Sequence, residues 1–152
     1  MTTTIALERP DTADARMLVE ELESHLAPFY PATNRYGYSV EKLINQGVAF
    51  FVTRQEGVPA GCGGVQFFGT EYGELKRMFV RPQFRGLGLA KLMLKHLEDY
   101  TREHSISLLR LETGIHQKEA IGLYESAGYK NCPPFGEYTE SPLNTFFEKK
   151  II

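Results

Sequence analysis

Cysteine is scarce in this sequence: its 152 residues include only Cys62 and Cys132, far apart and outside any Cys-x-x-Cys pair. That spacing argues against a disulfide framework and against a zinc site, so reduced thiols and no metal are expected. A surplus of charge of either sign is also missing. The 17 Lys plus Arg against 19 Asp plus Glu leave a formal net charge of -2, so no global field draws the chain to nucleic acid or to an anionic membrane. Any anion site must be local. No stretch approaches the roughly 18 consecutive apolar residues of a membrane span, and Met1-Thr2-Thr3-Thr4-Ile5 lacks the basic-then-apolar order of a signal peptide. A cytoplasmic protein is expected. A Gly-Lys-Ser/Thr triplet is absent too, which removes the P-loop from consideration.

What is present fits one packed domain over residues 1–152. Hydrophobic residues make up 42% and charged residues 24%, close to the globular average, and no repeat or low-complexity linker divides the chain. Thr3 to Leu7 suits a strand. Pro10-Asp11 then opens a predicted helix whose apolar positions Ala15, Leu18, Val19, Leu22, Leu26 and Phe29 follow helical spacing. Ser39 is a predicted N-cap for a short helix through Asn45. Val48 to Arg54 and Val58 to Phe68 flank the turn signal Glu56-Gly57 and read as a hairpin. Glu74 to Val80 supplies a further strand, halted by Pro82, and Gly86 to about Arg102 a helix with Leu89, Leu92, Met93, Leu97 and Tyr100 as its buried stripe. Ser107 to Thr113 alternates like a strand, Gln117 to Ala127 suits a helix closed by Gly128, and Tyr129 to Asn131 and Asn144 to Glu148 complete the strands. The order predicts an α/β fold, a mixed sheet with helices on its faces, with parallel neighbours and right-handed crossovers from Glu74 onward.

The most informative stretch is Val80-Arg81-Pro82-Gln83-Phe84-Arg85-Gly86-Leu87-Gly88-Leu89-Ala90, a strand end, a turn with two spaced glycines, and a helix start. Unpaired N–H groups and the positive end of the helix dipole both favour a phosphate there. Arg85 and Lys91 stand ready to add charge. The dinucleotide fingerprint does not fit, because its glycines follow the first strand of a Rossmann unit, whereas this turn follows a hairpin in mid-chain.

These residues resemble the GNAT superfamily of N-acetyltransferases, whose acetyl-CoA motif reads Gln/Arg-x-x-Gly-x-Gly/Ala. Gln83-Phe84-Arg85-Gly86-Leu87-Gly88 matches every fixed position. A second family motif, Asn-x-x-Ala-x-x-Leu/Phe-Tyr-x-x-x-Gly-Phe/Tyr, is echoed from Gln117 through Ala120, Leu123, Tyr124 and Gly128 to Tyr129, with Gln117 standing where Asn is usual. The resemblance covers nearly the whole chain. It implies a central sheet of six to seven strands with about four helices, whose central parallel strands splay to admit the pantetheine of acetyl-CoA. Met78 and Val80 would meet that arm through their backbone, Phe79 beside them, with Gln117 and Tyr124 completing its contacts. The N–H groups from Arg85 through Gly86, Leu87, Gly88 and Leu89 to Ala90 would hold the pyrophosphate.

Acetyl transfer to an amine needs a neutral nitrogen, a polarised thioester carbonyl and a proton for the departing thiolate. Glu74, at the start of the motif strand, is the first candidate base, with Glu112 a second; an ordinary solvated carboxylate is the competing reading of Glu74. The resemblance gives Tyr124 the role of acid, against a plain core aromatic on the face of Ala120 and Ala127. The Val80 N–H would meet the oxyanion. His116 reads as a surface or capping residue, and neither cysteine has a neighbouring base for a covalent route. Two aromatic loops, Phe29 to Tyr38 and Phe135 to Tyr138, are expected to border the acceptor, with Tyr30, Arg35, Tyr36 and Glu137 as candidate contacts, Arg35 for a carboxylate and Glu137 for an amine. The expected activity is acetyl transfer to a small-molecule amine through a ternary complex, by a monomer or homodimer. Protein or peptide acetylation, or acyl-CoA sensing without catalysis, are the alternatives.

Overall fold

The computed structural model describes residues 2–152. Strand β1 (Thr3–Leu7) leads into helix α1 (Ala13–Leu26). Thr12 Oγ1 accepts from the Ala15 N–H at 3.2 Å, a side-chain cap that sets the helix start beyond the expected Pro10-Asp11. The helix closes before Phe29, which is 49% exposed, and its buried face is Ala15, Leu18, Val19 and Leu22. Helix α2 (Val40–Asn45) begins as expected at Ser39, whose Oγ accepts from Lys42 N at 3.1 Å.

Strands β2 (Ala49–Gln55) and β3 (Val58–Phe68) form the predicted hairpin, and β3 pairs with β4 (Tyr72–Val80). Helix α3 (Leu89–Glu103), strand β5 (Leu108–Gly114), helix α4 (Lys118–Ser126), the two-residue β6 (Lys130–Asn131) and β7 (Asn144–Lys150) complete the chain. The seven strands lie in the order β1-β2-β3-β4-β5-β7-β6. β4 and β5 are the one parallel pair among the described strands. The expectation of parallel neighbours from Glu74 onward holds for β4 and β5 and is corrected beyond them: β7 enters antiparallel between β5 and β6, so α4 carries the chain past a strand position that β7 later fills.

Alternating side chains send the core to both faces of the sheet. Phe50 packs with Leu18, Leu22 and Leu43 from α1 and α2, while its neighbour Phe51 joins Met93, Leu97 and Tyr124 from α3 and α4. Each fully buried leucine contributes about 1.5–3 kcal/mol, and Leu18, Leu43 and Leu97 are wholly shielded from solvent. The stripe of α3 is rotated from expectation. Leu92 is 46% exposed and Tyr100 half-buried, while Leu94, Glu98 and Thr101 turn inward. A buried glutamate is tolerable because it is partnered: Glu98 accepts from Tyr129 Oη at 2.8 Å and from Lys149 Nζ at 3.2 Å.

Candidate active site

β4 and β5 hold a parallel register only at Gly73–Leu109 and Glu74–Arg110. Beyond these pairs they part. The cause lies in β4, where Gly64 pairs with Lys76 and Cys62 with Phe79. One residue of β3 therefore faces two of β4, a bulge that bends the strand. Arg77 takes the strained turn, at φ 54, a left-handed conformation costing about 1–2 kcal/mol outside glycine. Its guanidinium secures it: Nε donates to Tyr38 O at 2.9 Å and Nη2 pairs with Glu23. β5 meanwhile stays paired with β7 as far as Gly114–Asn144, so a cleft opens between Leu75–Met78 and Leu111–Gly114.

Beyond Glu74 the edge of β4 has no β5 partner, and the Val80 carbonyl there accepts from Arg85 Nε at 3.3 Å. Arg81 N donates to Ala60 O on β3 at 2.8 Å, so strand alternation turns the Val80 N–H the other way, toward the splay. A chain rich in amides can pair with such an edge as an added strand would. Just beyond lies the glycine turn. After a single 3-10 turn at Pro82–Phe84, Gly86 and Gly88 adopt φ 83 and 76, values that L side chains avoid. Gly88 offers α3 no side-chain cap, so the first-turn N–H groups of Leu89, Ala90 and Lys91 are left for an outside acceptor. Gln83, Arg85 and Leu87 are exposed around this nest, and Phe84 and Ala90 half-buried. Phe79 and Leu89 send their side chains into the protein, leaving only backbone for a ligand.

The cleft itself gathers titratable groups. Glu74, the first candidate base, is buried and engaged: Lys76 Nζ donates to its Oε2 at 2.7 Å and Tyr138 Oη at 2.6 Å. Lys76 also lies over the Tyr38 ring, 4.0 Å from its centroid. Glu112 is less encumbered, with one hydrogen-bond partner among the described residues, Asn144 Nδ2, donating to Oε2 at 2.6 Å. Burial pushes the Glu112 carboxyl up to about 7, the Asn144 bond opposing and the Glu74 charge adding to the rise. Tyr124 on α4 lines the same cleft. Burial, and then the Glu112 charge, raise its phenol above the usual range and keep it protonated. Gln117 accepts from Tyr30 Oη at 3.2 Å, and the same hydroxyl accepts from His116 N at 2.9 Å. Tyr30 lies so close to β5 that a Cβ on Gly114 would stand 2.0 Å from its hydroxyl.

Of the expected acceptor contacts, Tyr30, Arg35 and Tyr36 line the cleft. Glu137 does not: it is exposed, and its neighbour Tyr138 turns inward instead. Sequence reasoning missed Tyr138, Asn144 and the Lys76–Arg77 pair. Tyr138 was legible as an aromatic loop residue but not as the Glu74 partner, and Asn144 carries no motif. The two thiols take no part in the cleft: Cys62 is buried, with burial pushing it up to about 12, and Cys132 sits by the separate proline-rich loop.

Comparison with known proteins gives four findings. The model of the acetyltransferase (GNAT) family matches residues 15–129. The IAA acetyltransferase of Azospirillum brasilense is 39% identical over 150 residues, covering 97% of each chain. Among solved structures, one from Klebsiella pneumoniae, described as of the acyl-CoA N-acyltransferase type, is 32% identical with a TM-score of 0.85, covering 99% of this chain and 98% of that one. The PaiA N-acetyltransferase of Thermoplasma acidophilum, solved with coenzyme A, shares the fold at a TM-score of 0.78 and 20% identity, over 99% of each chain.

Proposed function

This chain belongs to the acetyltransferase (GNAT) family and is an acetyl-CoA-dependent N-acetyltransferase, and from that premise we propose that Glu112 and Tyr124 carry the transfer to a small amine bound beside them. The observation that carries this reading is one cleft bringing together an open strand edge, a carboxyl near neutrality and a phenol whose hydroxyl has no partner among the described residues. The residues present fit the cosubstrate. The exposed amides from Gly86 to Lys91 suit its pyrophosphate, and the free edge of β4 suits its amide-bearing arm.

Glu112 accepts a proton from the acceptor ammonium, directly or through water, leaving a neutral nucleophile. The Val80 N–H meets the negative charge that forms on the thioester oxygen as nitrogen adds to its carbon. Tyr124 gives its proton to the thiolate as the carbon–sulfur bond breaks, and recovers one from the nitrogen now bearing the acetyl group. Overall an ammonium and a thioester become an amide, a thiol and one released proton. Glu74 is the weaker base, because Lys76 and Tyr138 already claim its carboxylate.

A small acceptor suits the cleft better than a protein segment. Asn34 Nδ2 donates to Ser141 Oγ at 2.8 Å and Asn144 Nδ2 to Asn34 O at 3.3 Å, tying the two acceptor-side loops together. The test is thiol release from acetyl-CoA by the purified chain across a panel of small amines and amino-terminal peptides. Release that depends on small amines is expected; release with peptides alone, or coenzyme A binding without release, overturns the proposal.

A further inference from the structure

Around Glu23, at the acceptor end of the cleft, two guanidinium groups meet one carboxylate. Lys76 and Glu74 form a closed pair, their side chains 6% and 4% exposed, with Tyr138 and the Tyr38 ring taking up the remaining faces of the ammonium. Arg77 is buried, its side chain 4% exposed, and engaged by Tyr38 O and Glu23. Arg35 is different. Its guanidinium touches the same Glu23 carboxylate at 3.8 Å through Nη1, beyond hydrogen-bond distance, and donates no hydrogen bond to any described residue. Its side chain is 27% exposed and it lines the cleft. One carboxylate thus serves two guanidinium groups, leaving one positive charge and a planar fork of N–H donors turned to the acceptor space.

Resting on the transfer reading above, we propose that the acceptor is an amino acid or a close analogue, whose carboxylate is held by Arg35 while its amine is presented to Glu112. A carboxylate matches the fork in shape and charge, and such bidentate pairs are among the stronger polar contacts. It also completes the charge balance that Glu23 leaves half done. Neutral and purely cationic amines lack the group that Arg35 is free to bind. They are correspondingly poor acceptors.

The test uses the full chain with acetyl-CoA and matched acceptors: glycine, β-alanine, γ-aminobutyrate and the common L-amino acids, each beside its carboxamide. Rates of thiol release are compared per neutral amine, since carboxamides lower the amine pKa. For at least one spacing the acid is expected to exceed its carboxamide in kcat/KM by about tenfold or more, carried by KM. Arg35→Gln should bring that ratio close to one, and Arg35→Lys restore part of it. Equal acid and carboxamide rates in the native chain overturn the inference while leaving amine acetylation standing; an undiminished ratio in Arg35→Gln overturns the assignment to Arg35. Thiol release with no amine at all would instead strike the transfer reading on which both rest.

Discussion

Replacing Glu112 with glutamine keeps the side chain's shape and lets its carbonyl still accept from Asn144, which donates to Oε2 at 2.6 Å, but it removes the proton acceptor. In the native protein burial raises this carboxyl from 4.5 to about 7, so about a tenth is ionised one unit below that value and about nine tenths one unit above it. If the ionised form is the base, kcat/KM per acceptor ammonium climbs nearly tenfold across those two units and then levels. Glu112→Gln should lower kcat/KM by about 10²–10⁴ and abolish the climb. Two acceptors of different amine pKa separate the sources: a limb owed to the acceptor moves with it, and one owed to Glu112 stays near 7.

The same shift has a stability signature of known sign. A carboxyl whose folded pKa lies above its unfolded value binds more protons in the folded state between 4.5 and about 7, so stability is greatest below that window and falls as pH rises through it. Each unit corresponds to about 1.4 kcal/mol, and since the carboxyl borders the open cleft a loss of about 1–3 kcal/mol is expected. Glu112→Gln carries no such loss, so denaturant titrations should show it gaining on the native chain between pH 5 and pH 8. Glu74→Gln is the control, since it leaves Lys76 buried without its carboxylate; about 3–5 kcal/mol should be lost while the limb survives, moved below its native position by loss of the Glu74 charge. Persistence of that limb in Glu112→Gln refutes the assignment.

Two further outcomes follow from the cleft and the glycine turn. Tyr124→Phe removes the hydroxyl proposed to protonate the thiolate and keeps the ring, so kcat should fall by about 10²–10⁴ while calorimetric affinity for acetyl-CoA is kept; undiminished turnover would return Tyr124 to the role of a core aromatic. Gly88→Ala puts a side chain at φ 76 where no neighbouring atom lies within 4 Å, so its cost is backbone strain alone, about 1–2 kcal/mol or a few degrees in Tm. Coenzyme A affinity should fall at least tenfold as the turn reorients its amides, and unchanged affinity would remove the phosphate from that turn.

Much of the fold was legible because its signals are local. Ser39 as a cap, Glu56-Gly57 as a hairpin turn and Gly128 closing α4 each act within a few residues, and each stands where the sequence predicts. The errors arise where distant contacts decide. The rotated stripe of α3 depends on Glu98 finding Tyr129 and Lys149, at 31 and 51 residues' remove. The insertion of β7 between β5 and β6 is a matter of topology that no window of sequence contains. The site divides the same way. Tyr124 and the paired glycines belong to motifs, whereas Tyr138 and Asn144 acquire their roles only when the chain brings them to Glu74 and Glu112.

Arg77 joins the two halves of the site. Nothing in Glu74-Leu75-Lys76-Arg77-Met78 announces a bulge, and an arginine at positive φ runs against backbone preference. The strain is held by ties to Tyr38 and Glu23, so the loop carrying Arg35, Tyr36 and Tyr38 is fastened to the same residue that bends β4. The bend parts the strand edge proposed to take the cosubstrate; the tie fixes the loop proposed to meet the acceptor. Because Arg77 draws on Glu23, it leaves Arg35 only a share of that carboxylate. One irregularity in β4 thus opens the cleft and leaves a cation in its wall, so the proposed cosubstrate slot and the proposed acceptor contact depend on the same local strain.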